Sequence, residues 1–310
     1  MGSVVISIDA ELGWGFHRRD LPQERLESAR VGWKRLAGLC SEYGIPATWA
    51  IVGHLFLSNC DTRHADHPRG PEWFRCEQEE WADRPSLRYG PHLIADVFDD
   101  PVAHEIGCHT FSHVSFGRPE TTAATARSEI KRCLAAVPWT ELSLRSFVFP
   151  DNAVGHRDIL AEYGFECYRG PGPGSPTRFE KVTAATVGMP QPNLVTPSID
   201  EYGLVNVPAS LNLFSFEGRA KRLVTRLFED PIVERARRGI DAAANGDGVF
   251  HMWLHPSDFI GRPEIARLRT VFEYLDSRRQ DLRIETMGAV AKRVRDERGP
   301  SPASEPRSID

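Results

Sequence analysis

His109 and His113 stand four residues apart in Glu105-Ile106-Gly107-Cys108-His109-Thr110-Phe111-Ser112-His113, directly after a short extended run. On a helical turn, residues at this spacing share a face, so both imidazoles could ligate one divalent ion. Taken alone, the pattern fits two ordinary surface histidines as well. Asp9 and Glu11 arrive together past the first extended run, beside Trp14 and its flanking glycines, Gly13 and Gly15. Such carboxylates can hold a metal or move a proton, although a turn or helix cap explains most acidic residues at strand ends. His251, Trp253 and His255 alternate along Val249 to His255, which places them on one side of a strand with His255 at its carboxyl end. An isolated histidine of this kind is usually a satisfied core residue. What sets these three motifs apart is a shared position, because the carboxyl ends of strands are where α/β active sites collect.

Extended apolar runs alternate with helical patterns along most of the 310 residues, which predicts an α/β fold with a largely parallel sheet or barrel. Strands are expected at 4–8, 47–52, 105–108, 145–149, 166–168, 204–207, 248–254 and 282–285. Helices are expected at 23–43, 120–136, 156–163, 219–244, 263–279 and 287–295. In the first helix Leu26, Ala29, Trp33, Leu36 and Leu39 recur at helical spacing, and Gly44-Ile45-Pro46 stops it. Residues 59–91 read as an irregular, lid-like insertion, and 170–200 as loop. With no internal repeat and no linker between unlike halves, residues 1–297 are expected to form a single domain, followed by a disordered tail at 298–310.

A net charge of −5 gives no electrostatic reason to attract nucleic acid or anionic lipid, and no run is long enough to span a bilayer. The expected partner is therefore a small molecule or glycan precursor; the oligomeric state is open. Met1-Gly2-Ser3 leads straight into the first strand without the basic and apolar regions of an export signal, so a cytoplasmic protein is expected. The six cysteines, scattered over a large chain, are expected as free thiols.

Together with Gly44-Ile45-Pro46-Ala47-Thr48-Trp49-Ala50-Ile51-Val52-Gly53, the three motifs resemble the polysaccharide deacetylase family, the NodB-homology carbohydrate esterases, from Val4 to about Val290. That family carries a Thr-Phe-Asp-Asp-Gly stretch, a His-Ser/Thr-x-x-His stretch and a late Leu-x-His along a distorted (β/α) barrel. His109-Thr110-Phe111-Ser112-His113 fits the second stretch, and Leu254-His255 fits the last more loosely. In the first, Ala10 stands where the second Asp would be, as in a subset of the family with an Asp-x-Asp/Glu pattern. At Ser146-Phe147-Val148-Phe149-Pro150-Asp151-Asn152 the family arginine that orients the base is replaced by Val148, with Arg145 and Arg169 as candidate substitutes.

The resemblance implies a metal-dependent hydrolase that removes an N-acyl group, in the first instance acetyl, from a sugar or sugar-containing intermediate. It assigns Glu11, His109 and His113 to one divalent metal, Zn²⁺ first, with Co²⁺, Ni²⁺ or Fe²⁺ as alternatives. Asp9 would be the general base and His255 the general acid; a backbone N–H near Asp151 would stabilise the oxyanion. Trp14, Pro150, Asp151, Asn152 and Arg169 are assigned to the substrate. Deformylation or hydrolysis of another non-peptide C–N bond is an alternative, as is an inactive glycan-binding module. Cys60, His64, His67 and Cys76 have the composition of a second zinc site but not its usual tight spacing. Trp73, Trp81 and Tyr89 in the same insertion could stack on a sugar or pack the insertion down.

Overall fold

The structure is a computed structural model describing residues 1–17, 23–61, 64–172, 194–214, 230–259 and 261–298. Its central strand, β1 (Ser3–Ala10), is buried along its whole length, as a strand covered on both faces must be. Val4, Ile6, Ile8 and Ala10 pack outward against the helical layer, alongside Trp33 and Leu36 of the helix Gln23–Glu42. The alternate set, Ser3, Val5, Ser7 and Asp9, points the other way, so the period of two aims every polar residue of the strand inward.

Around β1 are β2 (Thr48–Ile51), β3 (Glu105–Cys108), β4 (Ser146–Val148), β5 (Cys167–Arg169), β6 (Ser198–Ile199), β7 (Val205–Asn206), β8 (Leu211–Asn212), β9 (Val249–Leu254) and β10 (Arg283–Glu285). The order is β6-β7-β5-β4-β3-β2-β1-β9-β8, with β10 also pairing with β1; among the described strands, β6 and β7 are antiparallel to each other and the other pairs are parallel. The first half of β1 pairs with β10 and its second half with β2, while β9 runs along the other side. Residues between 195 and 212 join the two margins: Val195 bridges to Val249, Ala209 N–H donates to Gly170 O, and Ser210 N–H donates to His251 O. The result is the distorted (β/α) barrel expected from the sequence.

The barrel's amino-terminal end is closed by the helix Met287–Arg298. Met287, Val290 and Ala291 join Val5, Val148, Cys167, Val205 and Val249 in a buried apolar cluster. Two N–H groups of this helix's first turn, which have no partner within the helix, are taken up by strand side chains: Met287 donates to Thr48 Oγ1 and Gly288 to Glu105 Oε2. With one end plugged, polar side chains inside the barrel are reachable only from the carboxyl end.

The sequence-based boundaries shift by a few residues where capping decides. The helix expected from Glu120 begins at Ala123, because Thr122 accepts from Thr125 N–H and takes the N-cap. Of the helix expected at 219–244, Pro231–Ala244 is described, capped by Asp230; residues 219–229 and the tail beyond 298 lie outside the described residues. The insertion at 59–91 contains helical turns at Pro71–Phe74, Arg75–Gln78 and Pro85–Arg88. Among the described residues no helix is long and apolar enough to cross a membrane.

Met287 is fully buried in the plug. Met287→Ala should lower stability by about 2–5 kcal/mol, the usual range for a core methionine truncation, read from urea unfolding followed by circular dichroism.

Candidate active site

Asp9 is the last inward-facing residue of β1, and Arg169 on β5 reaches across the barrel to meet it. The guanidinium donates from Nη1 to Asp9 Oδ1 at 2.6 Å and from Nη2 to Oδ2 at 2.7 Å, a bidentate pair sealed from solvent. Nη1 also donates to Ser7 Oγ at 2.9 Å, and Nη2 to Asn152 Oδ1 at 3.0 Å. Below it, Ser7 Oγ lies 2.9 Å from His251 Nε2, while His251 Nδ1–H donates to Val207 O. Burial and the nearby Arg169 cation push the His251 ring down to about 3, so it stays neutral and serves as packing. Burial opposes ionisation of Asp9, but Arg169 overrides it and holds the carboxyl below its usual range.

Glu11 lies just beyond β1, where Leu12 adopts a left-handed backbone (φ 49°) that turns the chain. Glu11 Oε1 sits 3.2 Å from His109 Nε2 and 3.1 Å from His113 Nε2. His109 Nδ1 is 2.8 Å from the carbonyl of Val148, which can only accept, so the proton is on Nδ1 and the Nε2 lone pair faces Glu11. An acceptor facing a carboxylate repels it unless a proton or cation lies between them. Three donor atoms that close, of types suited to a divalent ion, with one ring oriented by a backbone carbonyl, fit a metal well. A Cβ added at Gly15 would lie 1.7 Å from Glu11 Oε2, so the carboxylate occupies space that only a glycine leaves open.

The two histidines do not lie on a helix, contrary to the expectation from their spacing. They flank a turn in which Thr110 (φ 60°) and His113 (φ 61°) are left-handed, and this brings the ring centroids to 5.1 Å. The fully buried carboxylate of Glu129 holds that turn, accepting from Phe111 N–H and Ser112 N–H, each at 2.8 Å, and from Ser112 Oγ at 2.5 Å. Three donors in such a dry place offset the desolvation of the charge. The sequence signal for Glu129 was a lone acid in the apolar stripe Ala126, Ile130 and Cys133.

His255, at the end of β9, has Nε2 3.8 Å from Asp9 Oδ2 and 3.9 Å from Glu11 Oε1. Its Nδ1 lies 3.3 Å from Asp258, whose carboxylate also accepts from His255 N–H. Burial favours the neutral ring, but Asp258 and then Glu11 outweigh it and raise His255 to about 10. Asp258, three residues beyond the motif, thus holds both the backbone N–H and the ring of His255.

Other expected site residues fall elsewhere. Trp14 is fully buried, its ring packed on His54, Phe74 and Trp81 after the turn at Leu12 swings it inward, so it cannot face a substrate. Arg169 and Pro150 are likewise buried, and Asn152 is drawn to Arg169. Asp151 lines a cleft of about 300 Å³ that opens beside His113, walled also by Trp73, His17, Arg69 and Arg118. Arg145, the other candidate for the missing arginine, is on the surface paired with Glu166. Trp81 and Tyr89 are buried and pack the insertion down, whereas Trp73 reaches the cleft and donates to Ser112 O. Of the quartet considered for a second zinc, His67 instead pairs with Glu129, and Cys76 is buried with its thiol raised to about 12.

The plugged, distorted (β/α) barrel is similar in fold to solved structures described as polysaccharide deacetylases. A protein from Mycobacterium smegmatis described as a polysaccharide deacetylase superposes with a TM-score of 0.60 at 18% identity, over 98% of this chain and 94% of that one. One from Pseudomonas aeruginosa PAO1, described likewise, gives 0.60 at 12% identity over 96% and 92%. The Puue allantoinase gives 0.58 at 12% identity over 94% and 89%. No protein-family model matches the chain, and no curated protein matches it in sequence.

Two outcomes test this geometry. Arg169→Met should destabilise the protein by about 3–5 kcal/mol at neutral pH, because Asp9 is left buried without its counter-ion. Asp9 is lowered in the folded state, so its contribution exists above the free carboxyl value of about 3.9 and is lost as pH falls through the folded value. The unfolded carboxyl is common to both proteins, so in urea unfolding series the gap between wild type and variant should narrow as pH falls from the raised Asp9 value of the variant toward the lowered value of the wild type. In metal-free protein, the His255 C2 proton should titrate near 10 by NMR, and Asp258→Asn should move that midpoint down.

Proposed function

We propose that the chain is a metal-dependent hydrolase that removes an N-acyl group, acetyl in the first instance, from a sugar or sugar-containing intermediate. The observation that carries this reading is the meeting of Glu11, His109 and His113, with His255 Nε2 within 3.9 Å of both Asp9 and Glu11. Acyl transfer to water needs a base and an acid at once, and Asp9 and His255 supply them.

Glu11, His109 and His113 would hold one divalent cation, with zinc the best match to two nitrogens and a carboxylate oxygen. When bound, it would supply Lewis acidity to the amide carbonyl and make a nearby water more acidic. Asp9, kept ionised and aimed by Arg169, takes a proton from the attacking water through an oxygen lone pair that the arginine leaves open. The new C–O bond gives a tetrahedral centre, whose oxyanion a backbone N–H near Asp151 can stabilise. As the C–N bond breaks, His255 donates its proton to the departing nitrogen, and Asp258 keeps the imidazole turned toward it. Acid and amine leave, and the proton on Asp9 returns to His255 through solvent.

The cleft beside His113 suits a polar substrate, with Trp73 as a wall on which a sugar ring can stack. The barrel alone does not choose among C–N bonds, since an allantoinase shares it. The test is a panel of N-acetyl and N-formyl amino sugars, their nucleotide-linked forms and cyclic amides, each assayed with and without chelator. Release of acetate from an N-acetyl sugar, abolished by chelation and restored by zinc, is the expected result. Turnover of ester substrates alone would overturn the amidase reading.

Asp9→Asn should lower kcat by about 10²–10⁴ while leaving zinc content unchanged, because the base is lost and the ligands are kept. Gly15→Ala should do the reverse, weakening zinc binding by displacing Glu11; isothermal titration with Zn²⁺ reads this directly.

A further inference from the structure

The insertion at 59–91 brings together a second group of ligating side chains. His54 follows β2, Cys60 lies in the loop beyond it, His64 sits at a left-handed turn (φ 45°), and Glu77 is on the short helix Arg75–Gln78. Their donor atoms all lie within 4.8 Å of one another. His54 Nε2 is 3.1 Å from Glu77 Oε1, His64 Nε2 is 2.8 Å from Glu77 Oε2, and Cys60 Sγ is 3.5 Å from Glu77 Oε1. A tetrahedron with metal–ligand bonds of about 2.0–2.3 Å places its corners ~3.3–3.8 Å apart, close to what these atoms already show. His54 and Glu77 are fully buried and His64 nearly so.

Chemistry as well as distance favours a cation here. His54 Nδ1 faces the carbonyl of Arg88 at 3.1 Å, so its proton is on Nδ1 and its Nε2 lone pair faces a carboxylate oxygen. Nε2 of this buried ring makes no hydrogen bond. This is the arrangement of His109, Val148 and Glu11 repeated about the same turn, since His54 N–H donates to Phe111 O. Two neutral imidazoles, one thiolate and one carboxylate carry two negative charges, which a single divalent ion balances. Four protein donors leave no open position, as in a structural rather than a catalytic zinc.

We propose that His54, Cys60, His64 and Glu77 form a structural zinc site that staples the insertion to the barrel beside the catalytic turn. Without a metal, Cys60 and Glu77 outweigh burial and raise both rings, His64 to about 9, so a bound cation would take the place of the protons on their Nε2 atoms. The same segment carries Trp73 to the cleft wall and His67 to Glu129, so the staple fixes groups that touch the catalytic turn. The competing account is an ionic network in which both rings are protonated and no metal binds.

Cobalt distinguishes the two. Chelator-stripped full-length protein titrated with Co²⁺ should bind two equivalents, one of which gives thiolate-to-cobalt charge-transfer absorption in the near ultraviolet. His113→Ala should lose one equivalent and keep the band, while Cys60→Ser should lose the other equivalent together with the band. On the unaltered chain, saturating zinc should protect a thiol from a disulfide reagent; Cys60 is the cysteine that is not buried. Absence of the band from folded wild type, its persistence in Cys60→Ser, or an unprotected Cys60 at saturating zinc would each overturn the proposal. The band, its loss in Cys60→Ser and the protection of Cys60 do not depend on whether the Glu11 site binds metal.

Discussion

Asp9 and Arg169 form a buried ion pair across the barrel, and the rest of the site is arranged around it. Two charges taken out of water repay their desolvation only when geometry is close and remaining valences are filled. Here two short bonds join them, Ser7 and Asn152 take two further guanidinium protons, Nε alone has no partner among the described residues, and the guanidinium lies over the Trp253 ring. The pair fixes the rotamer and charge of Asp9 and links β5 to β1 through the interior, while the raised value of His255 comes first from Asp258 and then from Glu11.

Support for the histidine turn comes from outside the barrel. Glu129 binds its backbone, His67 of the insertion meets the same carboxylate, and Trp73 caps Ser112. Left-handed residues at Thr110 and His113 are unfavourable alone and persist because these bonds over-determine them. The insertion is thus part of the scaffold of the site, and its apolar residues Trp81, Leu87 and Phe74 are buried with the core. A segment that looked like a lid in the sequence holds the histidine turn in place.

Much of the site was legible because ligand-type residues at strand ends are a local pattern. Spacing and the periodicity of β1 and β9 singled out Asp9, Glu11, His109, His113 and His255 one motif at a time and alternation gave a largely parallel α/β fold, while the family resemblance grouped the residues into one site and implied the distorted barrel. Spacing misjudged the conformation of the histidine pair, since i and i+4 also meet across a tight turn. Trp14 was misplaced because its neighbours look like a site, whereas the backbone turn at Leu12 directs its ring into the core.

The sequence alone determined which elements form and which of them end in reactive side chains, because hydrophobic period and turn chemistry act over a few residues. Only the tertiary structure decided which distant partners complete each group. Arg169 lies 160 residues from Asp9, Glu129 braces a turn 17 and 18 residues earlier, and Glu77 gathers His54 and His64. The physical reason is that a buried charge selects its counter-charge by proximity in the folded interior, where water cannot screen the pairing, and no rule of local spacing encodes that choice.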